Sequence, residues 1–85
     1  MKIVERFQMT GRGLAVVVNE MTDLPVGKKL TARVVLSDGV ELTASAYKEW
    51  LLRRNPRLPV EKEAFLLVGL DMSDVPEGSE IHLTL

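Results

Sequence analysis

Hydrophobic residues fall on alternate positions through the middle of the chain. Leu30, Ala32, Val34 and Leu36 are followed by Val40, Leu42, Ala44 and Ala46, and the neighbours Lys29, Thr31, Arg33 and Ser37 are polar. A period of two means strands with one face turned to a core. Ser37-Asp38-Gly39 divides the run. Asp-Gly between alternating segments signals a hairpin, because both residues tolerate positive φ. The pattern predicts that residues 28–37 and 40–47 pair, with Gly39 at positive φ.

The remaining apolar segments extend this reading. Leu14 to Asn19 is nearly all β-branched or small, which suits a strand covered on both faces, and Ala64 to Leu70 is a second apolar run. Ile81, Leu83 and Leu85 alternate with His82 and Thr84. Leu24-Pro25-Val26-Gly27 and Pro76-Glu77-Gly78 punctuate the strands as turns. In AYKEWLLRR the strand alternation continues through Lys48, Trp50 and Leu52, while Tyr47, Trp50, Leu51 and Arg54 also sit at helical spacing. A strand that bends into a loop is the favoured reading of 45–54, with a short helix as the alternative. Asn55-Pro56 stops either one. The whole predicts an all-β domain over residues 1–85, a small closed barrel of roughly six strands, since closure removes exposed sheet edges. Val16, Val18, Val34, Leu36, Leu42, Leu66, Val68 and Ile81 are its expected core.

Composition limits the chemistry. Hydrophobic residues make up 46% and charged residues 27% of the 85, as in a globular domain with one modest core. Eleven basic against twelve acidic residues give no global field toward nucleic acid or membrane. The absence of cysteine removes disulfides, thiolate nucleophiles and thiolate metal ligands. MKIVERFQ carries charges at positions 2, 5 and 6 and contains no signal-peptide or membrane-spanning run, so a cytoplasmic chain is expected.

Few residues offer catalysis. His82 is the single histidine and is expected to point outward from the last strand. Asp71, Asp74, Glu77 and Glu80 do not follow the calcium-loop spacing, and Asp74 is expected to cap a turn before Pro76. No nucleophile elbow is present, and no GxxxxGK[ST] loop, which excludes nucleotide hydrolysis. The domain is read as non-enzymatic, without metal or cofactor. Its candidate partner-binding residues are Arg12, between two glycines, and the basic segment Lys48, Trp50, Arg53, Arg54 and Arg57. A planar guanidinium suits a phosphate or carboxylate, and cations interleaved with aromatics suit single-stranded nucleic acid.

The order of motifs adds a resemblance. Phe7-Gln8-Met9-Thr10-Gly11-Arg12-Gly13-Leu14-Ala15-Val16, then Pro25-Val26-Gly27, then Leu67-Val68-Gly69-Leu70, Asp74-Val75, Gly78 and Ile81 together resemble the second domain of translational GTPases, of which elongation factor Tu is the best-known. The resemblance spans roughly residues 7 to 81. It implies a six-stranded Greek-key barrel, here standing alone, and an RNA- or ribosome-associated role. Near-neutral charge favours the other class, a binding module that docks on a protein partner. The RNA- or ribosome-associated module using residues 48–57 is the alternative.

Overall fold

The computed structural model describes residues 1–49 and 62–85. They form six strands: β1 (Ile3–Met9), β2 (Gly13–Val18), β3 (Leu30–Val35), β4 (Glu41–Glu49), β5 (Glu63–Leu67) and β6 (Glu80–Thr84). All belong to one antiparallel sheet of order β1-β2-β5-β4-β3-β6. Within it β6-β3-β4-β5 has the spatial order of a Greek key: three successive strands, then a fourth that returns beside the first.

The expected closed barrel is not what the ladders show. The terminal strands β1 and β6 share no ladder and meet only at their ends, through an isolated Lys2–Glu80 bridge. Around it the Ile81 amide donates to the Met1 carbonyl at 2.7 Å, and the Ile3 amide donates to the Ser79 carbonyl at 2.9 Å. Farther along β1 the connection between β5 and β6 takes the place that β6 would need. Arg6 Nη1 donates to the carbonyls of Met72 at 3.0 Å and Val75 at 2.8 Å, and the Met72 amide donates to Gln8 Oε1 at 3.1 Å.

Period two is clearest in β3, where Leu30, Ala32 and Val34 are buried and Thr31 and Arg33 are exposed. The inward residues join Ile3, Leu14, Val16, Val18, Ala46, Phe65, Leu67, Val75 and Ile81 in one core. Val16, Val18, Val34 and Ile81 are thus inside as the sequence predicts, and Leu36 and Leu42 pack against the core while partly exposed. Leu66 is buried but stands outside this cluster, and Val68 is not buried. Leu66 pairs with Ala15 and Tyr47 on the opposite face of the sheet, and Val68 lies beyond the end of β5, 43% exposed. Phe65 and Leu67 take the inward positions instead. Both parities of Ala64-Phe65-Leu66-Leu67-Val68 are apolar, so alternation alone does not choose a face there.

The β3–β4 hairpin turns at Leu36 to Val40. The Gly39 amide donates to the Leu36 carbonyl at 2.9 Å, and the Leu36 amide to the Val40 carbonyl at 2.8 Å. Gly39 has φ 88°, whereas no non-glycine among the described residues has positive φ. Asp38 therefore does not share the left-handed conformation. It accepts the Val40 amide on Oδ1 at 3.0 Å, and the loop is a turn closed by a glycine bulge. A Cβ on Gly39 would meet nothing within 4 Å. Gly39→Val should therefore cost only the backbone strain, on the order of 1 kcal/mol. An unchanged urea midpoint for that variant would contradict the assigned turn.

Candidate functional site

The Gly11-Arg12-Gly13 corner joins β1 to β2. The Arg12 amide donates to the Met9 carbonyl at 2.8 Å, and Gly11 and Gly13 have φ of 77° and 135°. This tight turn projects Arg12 from the sheet, where its Nη2 meets Glu49 Oε1 at 2.7 Å. Glu49 ends β4, so the pair reaches across the outer face of β2 and β5, which lie between its anchors in the sheet. The two side chains are 55% and 36% exposed, and such surface pairs contribute about 0.2–1 kcal/mol.

Beneath the pair lies an apolar hollow. The register sets Phe7, Ala15, Leu66 and Tyr47 in one outward row, and Glu5, Val17, Ala64 and Glu49 in the next. Val17, Ala64 and Leu66 are buried on this outer face, apart from the main core cluster. With Phe7, Met9 and Ala15 they line a depression of about 270 Å³, and Arg12 and Glu49 complete its wall. Small side chains at Ala15 and Ala64 leave the concavity. Phe7 stands at its side, 53% exposed.

Lys48 and Glu63 occupy inward positions at one end of the sheet, paired in register with the core residues Phe65 and Val18. They form an ion pair, Nζ to Oε1 at 3.0 Å, with Glu63 buried and Lys48 largely so. Lys48 also donates to the carbonyls of Leu24 at 2.9 Å and Thr22 at 3.3 Å. The Thr22 hydroxyl donates to Glu63 Oε2 at 2.6 Å. The β2–β3 connection is thereby fastened over the core, with Val26 bridged to Lys48. Burial raises the Glu63 pKa, but hydrogen bonds from Thr22 and Lys48, with the Lys48 charge, outweigh it and hold the carboxyl below its ordinary value of 4.5. A depressed carboxyl stabilises the fold above its unfolded pKa and loses that contribution as pH falls through the folded value. Urea midpoints should therefore fall on acidification below about 4.5. Glu63→Gln should flatten that fall without abolishing it, because hydrogen bonds from Ser73 also lower the Asp71 pKa. An equally steep acid dependence in Glu63→Gln would exclude Glu63 as a source of it.

The structure thus separates two candidates that the sequence grouped. Arg12 faces outward over the hollow, whereas the Lys48 ammonium is engaged inside; Trp50, Arg53, Arg54 and Arg57 lie outside the described residues. His82 is exposed on β6. The cap before Pro76 is Asp71, not Asp74. Asp71 Oδ1 accepts the amides of Ser73 at 2.9 Å and Asp74 at 3.3 Å, while Asp74 Oδ2 accepts the Asp71 amide at 3.0 Å. This reciprocal arrangement is a capping box, in which the first residue is the cap and the fourth reaches back. Among the described residues no group of three His, Asp or Glu side chains is arranged to hold a metal ion. None of the described segments forms a helix long and apolar enough to cross a membrane.

The sequence does not reveal the hollow, because its residues come from separate strands and each reads as ordinary strand sequence. The one available signal was the apolar character of both parities in β2 and β5. No family model matches the chain, and neither a curated protein nor a solved structure matches it.

Proposed function

We infer that the domain is a non-catalytic module that docks on a protein partner through the outer face of β1, β2 and β5. The apolar hollow beside an exposed Phe7, with a base and an acid in its wall, carries this reading. The buried Val17, Ala64 and Leu66 form the floor of the hollow and Phe7, Arg12 and Glu49 its rim, and a concave apolar site with a few polar groups in its wall is the usual form of a binding site. The inward engagement of Lys48 favours it over RNA contact by the basic segment. The same reading takes the sheet as an incompletely closed barrel of the translation-factor type, whose end strands β1 and β6 meet at the Lys2–Glu80 bridge, and the Gly-Arg-Gly corner supports it. It places the module in the cytoplasm.

The test is capture by the immobilised domain, with an untagged copy of the chain included among the candidate partners, and with and without ribonuclease. Protein capture should resist ribonuclease and be lost in Phe7→Asp. Since Phe7 is exposed, that substitution should leave the melting temperature nearly unchanged. Ribonuclease-sensitive capture would instead favour the RNA reading.

A further inference from the structure

We propose that the occupant of the hollow is a second copy of this chain, in a two-fold dimer in which each Phe7 packs into the other copy's hollow and Arg12 and Glu49 exchange partners. The proposal rests on the docking reading above and supplies its partner. Arg12 enters the hollow from the β1–β2 corner and Glu49 from the end of β4, on the other side of β2 and β5. A two-fold axis lying in the plane of this face, perpendicular to the line from the β1–β2 corner to the end of β4, sets two copies face to face and brings each copy's base to the side that holds the other's acid. The same rotation carries the β1 side, with its exposed Phe7, over the β5 and β4 side of the other copy. The face is therefore complementary to itself in charge and presents an aromatic projection beside a hollow. Such self-complementarity is what an isologous interface requires. A net charge of −1 opposes the approach of two copies only weakly.

Sedimentation equilibrium over a concentration series tests the proposal. The wild-type chain should dimerise, and Phe7→Ala should weaken the dimer at least about tenfold, a typical effect for a truncated interfacial aromatic. Arg12→Glu leaves acids at both sides of the hollow, and Glu49→Arg leaves bases at both. Each variant alone should be monomeric, with a circular dichroism spectrum and melting temperature close to wild type. Mixed one to one, they should form a heterodimer, because each then meets its complement across the axis. A wild-type chain that stays monomeric at millimolar concentration overturns the proposal. So does a dimer indifferent to the single charge reversals, or a pair of variants that remains monomeric when mixed. A monomeric wild type that captures a different protein in a Phe7-dependent way would retain the docking reading and remove only the dimer.

Discussion

Gly13→Ala is expected to destabilise the domain by roughly 2–6 kcal/mol, the sum of two separate costs. The first is conformational: φ at Gly13 is 135°, a region that L side chains rarely adopt. The second is steric: a Cβ would stand 2.3 Å from the carbonyl oxygen of Leu67. That oxygen belongs to the backbone of β5, so no side chain can turn aside to relieve the clash. Leu14 pairs with Leu67 in the β2–β5 ladder, and this end of the ladder would have to open. Stabilities of small domains lie near the lower part of about 5–15 kcal/mol, so the upper end of this cost would unfold the chain. Gly11 is the internal control. It has φ 77°, yet a Cβ there meets nothing within 4 Å. Gly11→Ala should cost only the strain of its φ, on the order of 1 kcal/mol. Urea denaturation of the two variants compares them directly, and equal losses would remove the close approach as the reason for Gly13.

The same corner shows what was legible in the sequence. Two glycines around an arginine predict a turn, because the need for positive φ is local. The contact that constrains Gly13 more tightly comes from Leu67, more than fifty residues away, and no local pattern encodes it. Strand pairing follows the same division. The β3–β4 hairpin is readable because alternation and an Asp-Gly turn agree, although β3 starts at Leu30; β4 runs on to Glu49 as the strand reading of 45–54 expects, and residues 50–54 lie outside the described residues. β5 was readable as a strand but not in its facing, since all five of its residues are buried. The polar positions carry the most ambiguity. Lys48 is one of several cations in its segment, and nothing adjacent in sequence distinguishes it from a solvated side chain. Its role is set by Glu63, which the register places on the same inward face, and by two carbonyls of a distant loop. The hollow likewise exists only once β1, β2, β5 and β4 lie side by side.

Lys48→Met should be among the most destabilising substitutions of a polar residue in the described chain, at about 3–5 kcal/mol. It leaves the Glu63 carboxylate buried with the Thr22 hydroxyl but without its counter-charge. It also strips the Thr22 and Leu24 carbonyls of their donor. The cost follows from isolating a charge rather than from a large net stabilisation by the pair, since the attraction in such a pair is largely offset by desolvation of both ions. The paired variant Lys48→Met/Glu63→Leu should therefore recover much of the loss. Recovery should stop short of wild type, because the two carbonyls still lack the ammonium. A double-mutant cycle with the two single variants should give a coupling of 1–3 kcal/mol, far above the roughly 0.5 kcal/mol within which independent sites add. Amide exchange gives a second readout. The loop containing Thr22 and Leu24 should exchange faster in Lys48→Met, while Val34 and Ile81, at the β3–β6 pairing, should lose protection only as far as global stability falls. Additive single and double variants, with loop exchange no faster than the global loss explains, would show that the pair does not fasten the loop to the core.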